Sequence, residues 1–305
     1  MINFLRTNLL HISYLALAWI FCLVLYPKVV FAEEVTQSKV RKITYPIPET
    51  PTHYHVQTNY YLDVLKLALA RSDVSYKLEI ISIPAMSQSR SSIYIQRGLY
   101  DIHWLATSEQ RENTLNPIRI PLLKGLLGLR IALINSKNPN LLLEASNIDG
   151  LKKLYAAQGH DWIDTKVLLH HGFRVQTSSN TQSLYELIIK GRLDYFPRSM
   201  LEVWYEHEFF NHKTLIVDEN IAIYYPLVNY FFVRKEDVEM HEQIQLGLLR
   251  AIEDGSFQNN FDAYFKQYIE KANLKNRKIY RLQNPFISPK TPMNDPKFWF
   301  KLPVE

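Results

Sequence analysis

The sequence predicts an α/β protein arranged in two lobes, and three observations carry that prediction. Short runs rich in β-branched and aromatic residues alternate with segments of helical periodicity, the pattern of a mostly parallel sheet with helices packed on it. The apolar run 129–134 passes straight into the polar loop 135–140, after which a second αβ series begins. Late in the chain, 229–233 is a dense aromatic and β-branched run of the kind that fills a buried strand.

In chain order, 43–45 reads as a first strand, stopped by Pro46 and Pro48, and 61–69 carries Leu62, Leu65 and Leu69 at helical spacing. A strand at 78–83, a helix at 88–97 closed by Gly98, and a strand at 101–105 follow. The second series runs from a strand at 151–155 to a loop at Gln158-Gly159 and a helix at 161–171 stopped by Gly172. Then come a strand at 173–177, a helix at 182–190 and a strand at 193–196. A strand at 214–217, the aromatic strand 229–233 and a long helix at 237–254 complete the pattern. Five prolines within 284–305 mark a tail that wraps or frays. For 204–210 two readings stand, a docking face or a packed helix.

Residues 1–32 are laid out as a secretory signal: an early Arg6, an apolar stretch, then Ala32 followed by Glu33 and Glu34. A retained membrane anchor is the competing reading, since 9–30 nearly reaches the roughly 20 residues a span needs. Pro27, Lys28 and the placing of Ala32 favour cleavage and a periplasmic location. The single cysteine, Cys22, lies inside this segment, so the expected mature chain has no disulfide and no thiol nucleophile. The whole-chain net charge of +5 is spread among well-mixed acids and bases, and no basic nucleic-acid surface is expected.

Several motifs recur in a shared order. Gly98-Leu99-Tyr100-Asp101 leads into Thr107-Ser108-Glu109-Gln110-Arg111; 151–159 ends in Gln158-Gly159; and Gly191-Arg192-Leu193-Asp194 follows. The run 230–236 then precedes Ala251-Ile252-Glu253-Asp254-Gly255-Ser256-Phe257. Over about 40–270 this order resembles the family 3 extracellular solute-binding proteins, the amino-acid-binding components of bacterial ABC-type uptake systems with the type 2 periplasmic-binding fold. Each motif is weak alone, and their order and spacing carry the resemblance. It implies one lobe from 40–130 plus 224–285, a second from 131–223, hinge segments near 129–134 and 224–233, a cleft between the lobes and a C-terminal tail at 286–305. It also implies a hinge-bending monomer that binds a small molecule without cofactor or catalysis, and whose partner is a membrane permease.

By the same resemblance Arg111 grips the ligand's carboxylate, with Ser108 in the same turn. A guanidinium forms a planar bidentate pair with a carboxylate that an ammonium cannot reproduce. On the residues alone, a surface pair with Glu109 or Glu112 is the alternative. His160 and Asp161 open the helix at 161, where backbone N–H groups can meet an anion, or Asp161 simply caps it. Trp104 and Trp162 offer flat cleft walls or core packing. Tyr45 and Arg90 are expected at the rim, with a solvated helix face as the other reading of Arg90. After Asp194 the family's ammonium-binding Asp is replaced by Ser199, next to Arg198. If Arg198 faces inward, two arginines favour a ligand with more than one acidic group.

Two further function classes remain. The lobe pair is a sensor partner of a membrane receptor or signalling enzyme, or a dehydratase-like enzyme using an acid such as Asp161 or Glu109. Metal chemistry is not expected: His207 and His212 are five apart, which turns one about 140° from the other on a helix of about 3.6 residues per turn. Nucleophile-elbow, Walker and dinucleotide fingerprints do not occur in the sequence.

Overall fold

The computed structural model describes residues 40–49 and 55–303. The expected signal segment, 1–32, lies outside the described residues. Among the described residues no helix is long and apolar enough to cross a membrane.

The chain opens with β1 (Arg41–Pro48), α1 (His55–Leu69), β2 (Tyr76–Ile83), α2 (Gln88–Gln96), β3 (His103–Ala106), α3 (Glu109–Thr114) and β4 (Asn116–Ile118). It continues through β5 (Leu129–Asn135), α4 (Leu141–Glu144), α5 (Ile148–Leu151), β6 (Tyr155–Gly159), α6 (Ile163–His170), β7 (Arg174–Ser178), α7 (Thr181–Ile189), β8 (Tyr195–Ser199), α8 (Val203–Phe210), β9 (Leu215–Val217) and β10 (Ile221–Tyr224). The last elements are β11 (Asn229–Val233), α9 (Val238–Glu253), α10 (Ser256–Ala272) and β12 (Lys278–Arg281).

Two sheet systems give the two lobes. In the first, β1 pairs in parallel with β2, and β11 lies antiparallel between β3 and β4. Asp101 joins the two pieces: its amide donates to the Thr44 carbonyl at 3.1 Å, and its carboxylate accepts from the Thr44 amide at 2.8 Å and hydroxyl at 2.7 Å. The second system has the order β12-β10-β5-β8-β6-β7, with β9 also on β5. Two crossings, from β4 to β5 and back from β10 to β11, carry the chain between the systems, and β12 re-enters the second after α10. The two crossings lie against each other at Gly128, where a β-carbon would stand 1.8 Å from the Tyr225 carbonyl oxygen, so only glycine fits.

The α/β class and the two lobes read from sequence are thus observed, and several element boundaries differ. Residues 148–151 are helical and the strand is 155–159, with Gln158-Gly159 inside it rather than in a loop. The strand 278–281 pairs with β10 in the larger sheet, whereas the sequence division places 224–285 as one block with the first lobe. Residues 204–210 form a packed helix: Trp204 and Tyr205 are buried, and Tyr205 meets His55 and Tyr268 edge-on, each at 6.1 Å. The proline-rich tail wraps the body, with Ser288 donating to Glu112 at 2.8 Å and the Phe300 amide to the Lys124 carbonyl at 2.9 Å.

Helix α9 packs on α1 through Gly247, whose β-carbon, if present, would lie 2.0 Å from the Ala68 carbonyl oxygen. Both are helix backbones and neither can yield locally. Gly247→Ala should therefore cost about 1–3 kcal/mol, read as a lowered urea midpoint with unchanged slope.

Candidate functional site

A cleft of about 510 Å³ opens between the two sheet systems, a size that suits a small-molecule ligand. Its first-lobe wall is set by α2 and the turn into α3. Ser108 caps α3 by accepting from the Arg111 amide at 3.3 Å, and the Arg111 side chain lines the cleft. The guanidinium donates to the Ala106 carbonyl, to Ser92 Oγ at 3.1 Å and to Gln88 Oε1 at 3.4 Å. All three partners are neutral, and among the described residues Arg111 makes no ion pair. Burial pushes its pKa down to about 10, against the pull of the Asp161 carboxylate. The surface alternative is not realised, because Glu112 is taken by Arg119 at 2.6 Å and by Thr107 and Ser288.

Beside it, His103 bonds Ser91 Oγ through Nδ1 at 2.8 Å and is ringed by Tyr45, Tyr100 and Trp104. Burial pushes this histidine down to about 3, so it is neutral at physiological pH. Trp104 lies on the cleft wall and stacks on Tyr61 at 4.5 Å.

The second-lobe wall is ionic and deep. Arg198 makes a bidentate pair with Glu206 at 2.8 and 2.7 Å and meets Glu202 at 3.1 Å, with its guanidinium 4.7 Å from the Trp162 ring centre and 4.9 Å from that of Phe196. Arg130 pairs with Asp164 and stands 3.8 Å from Glu202, and the Tyr225 hydroxyl also donates to Asp164. Gln57 reaches across from α1 to donate to Glu202 at 2.7 Å. Burial would raise the Glu202 pKa, yet Arg198 and Arg130 hold it below the usual range. For Glu206 burial prevails and its pKa stands above that range.

Six of the nine residues expected from sequence meet at this cleft: Arg111, Trp104, Arg198, His160, Asp161 and Trp162. The other three stand elsewhere. Ser108 is spent on its cap. Tyr45 is wholly buried behind His103, since its position on β1 turns inward to the core. Arg90 lies on the exposed face of α2 with its guanidinium 5.6 Å from the Tyr94 ring centre. Asp161 does not cap α6, because Trp162 holds that position with no side-chain bond. Its carboxylate instead accepts from Ser89 of α2 at 3.3 Å, across the cleft.

No protein-family model matches the sequence, and no curated protein does. Solved structures do match. The periplasmic VFT2 domain of Bordetella pertussis BvgS superposes with TM-score 0.58 at 15% identity, over 75% of this chain and 94% of that one. An amino acid ABC transporter substrate-binding protein from Streptococcus pneumoniae bound to L-arginine gives 0.52 at 13%, over 67% and 82%. An ancestral amino acid-binding protein described as a precursor of cyclohexadienyl dehydratase gives 0.53 at 13%, over 73% and 95%. The fold is that of the periplasmic binding proteins.

Within this periplasmic-binding fold, sequence reading missed most of the second-lobe wall. Two signals pointed to it. Arg198, Glu202 and Glu206 recur every fourth residue through an otherwise apolar stretch, and Arg130 stands alone in the apolar run 126–134. An isolated charge in such a run is rarely buried without a partner. Arg198, 2% exposed, is expected to be structural: Arg198→Ala leaves two buried carboxylates facing each other and should cost about 3–5 kcal/mol in urea denaturation.

Proposed function

We propose that this protein captures a small carboxylate-bearing molecule in the cleft by closure of the two lobes, as the periplasmic receptor of an ABC-type uptake system. The observation that carries the reading is Arg111: a largely desolvated guanidinium on the cleft wall, held in orientation by a carbonyl, a hydroxyl and an amide, with no carboxylate of its own. A ligand carboxylate supplies the missing counter-charge in a bidentate pair. Trp104 and Trp162 supply flat apolar walls around it. The likeness to a substrate-binding protein supports an uptake role, and the likeness to a BvgS domain supports a sensory one. The two differ in the membrane partner that reads the closed form, not in the cleft. Elimination chemistry has less support, because Glu109 lies on the exposed side of α3 and leaves Asp161 as the one expected acid at the cleft.

Residues 33–305 should show a thermal shift with a member of a panel of amino acids, monocarboxylates, dicarboxylates, short peptides and sugar acids. Saturation to about 100 times the dissociation constant adds about 2.7 kcal/mol to the folded state. Arg111→Ala should remove that shift while leaving the unliganded transition within a degree or two. A shift that survives Arg111→Ala would place the anchor elsewhere.

A further inference from the structure

The acceptors that hold Arg111 are already in use. The Ala106 carbonyl and Ser92 Oγ take its N–H groups, and Gln88 Oε1 accepts both from it and, at 2.9 Å, from the Ala106 amide. The neighbour on the same wall whose chemistry is still open is His103, on β3. Consecutive residues of α2 hold the two groups: Ser92 bonds Arg111, and Ser91 bonds His103 Nδ1 at 2.8 Å. Tyr100 sets the direction of that second bond, because its hydroxyl donates to Ser91 Oγ at 2.7 Å. Ser91 then has its own proton to give, and Nδ1 receives it. Burial keeps the ring uncharged, and among the described residues no carboxylate pairs with it. A neutral imidazole that accepts at one nitrogen carries its proton on the other. That other nitrogen, Nε2, has no hydrogen-bond partner among the described residues, and the ring is half-buried on the cleft lining.

From this chain of bonds we infer that His103 presents its Nε2–H to the cleft as an uncharged donor, and that the ligand carries a keto or hydroxyl oxygen to meet it besides the carboxylate on Arg111. The ligand half of the inference rests on Arg111 as the carboxylate anchor; the donor half rests on His103, Ser91 and Tyr100 alone. An N–H of fixed tautomer cannot accept, so an ammonium at this point finds no partner on His103, whereas a carbonyl or hydroxyl oxygen does. A site built to donate discriminates strongly against a ligand that leaves its donor unpaired. Tyr45, Tyr100 and Trp104 surround the imidazole, with ring centres 5.6, 5.9 and 5.4 Å away, and fix its plane. Ser91 is a positioning residue here, acting on the ligand only through the proton it places on the histidine. Arg198 also lines the cleft, with its Nε and one terminal nitrogen bonded to Glu206 and Glu202. The several acidic groups expected from sequence therefore give way to one anion and one neutral acceptor.

The donor half is tested without ligand, by long-range nitrogen–proton correlation NMR at neutral pH on residues 33–305 labelled with nitrogen-15 at histidine, the His103 signals being assigned by their loss in His103→Phe. The expected spectrum has a pyridine-type Nδ1 and a pyrrole-type Nε2, passing to a mixture of tautomers in Ser91→Ala. A proton on Nδ1, a cationic ring, or a tautomer indifferent to Ser91→Ala overturns it. The ligand half uses acids that differ by one group: pentanoate, 2-oxopentanoate, 4-oxopentanoate and 2-aminopentanoate; glutarate, 2-oxoglutarate and L-glutamate. Binding is read by tryptophan fluorescence, with Trp104 and Trp162 in the cleft, and by thermal shift. An oxo acid should bind about tenfold or more tighter than both its unsubstituted and its amino counterpart, and in His103→Phe that ratio should fall to near one. An unchanged unliganded melting temperature confirms that the variant is folded. A ratio near one in the unaltered protein, or one unmoved by His103→Phe, overturns the ligand class and leaves the carboxylate anchor standing. Oxo-acid binding that survives Arg111→Ala but not His103→Phe overturns the anchor and keeps the donor. Silence across both sets overturns the anchor and the ligand class together.

Discussion

The arrangement of the second lobe depends on two buried arginines sharing three carboxylates. Arg130 belongs to the strand that carries the chain across from the first lobe, Asp164 to the first turn of α6, and Glu202 to the turn before α8. Tyr225, on the returning segment, and Gln57, on a first-lobe helix, bond into the same group. Taking these charges out of water costs several kcal/mol per ion, so the network is tolerable only while each partner is in place. It therefore fixes the start of α6, the end of β8 and the start of α8 relative to the crossing point, and those are the elements that line the cleft. Gly128 sharpens the constraint, because the two crossings touch backbone to backbone there.

Two arginines in one cleft thus stand in opposite surroundings, one among carboxylates and one among neutral acceptors. Arg198 is surrounded by charge of the opposite sign and by two aromatic rings, and its Nε and one terminal nitrogen are bonded to carboxylates. Arg111 is oriented by neutral acceptors that fix its plane without compensating its charge. A guanidinium held that way retains the electrostatic incentive to meet an anion, which is what a binding group requires. Were Glu112 not already taken by Arg119, Thr107 and Ser288, it would offer Arg111 an internal counter-ion one residue away.

How much of this was legible in the sequence follows from how local each feature is. The αβ alternation and the buried β11 show as periodicity and composition and survive in the structure, whereas the passage between lobes read at 135–140 falls earlier, between β4 and β5. Arg111 was legible only through a motif, since nothing in Glu109-Gln110-Arg111-Glu112 says which way the side chain turns. Its bonds to Ser92, Gln88 and the Ala106 carbonyl hold it on the cleft wall. Tyr45 misled because a tyrosine ending a strand at a rim and a tyrosine buried under a histidine look alike in one dimension. Asp161 misled in the other direction: an Asp ahead of a helix suggests a cap, and the helix begins one residue later than the cap required. Helix α10 was missed although Phe257, Phe261 and Phe265 recur every fourth residue, because the Gly255 that ends α9 reads equally well as the end of the helical region.

The same contacts bear on how ligand and closure are coupled. Gln57 to Glu202 at the base, and Ser89 to Asp161 nearer the rim, are hydrogen bonds between elements of different lobes. A ligand can shift an open-closed equilibrium only by the difference in its affinity for the two forms. A molecule that touched Arg111 alone would bind both forms alike and move nothing. One that also met the opposite wall would gain its second contact only as the walls approach. On the proposed reading, that requirement would be the same whether a permease or a sensor met the closed form.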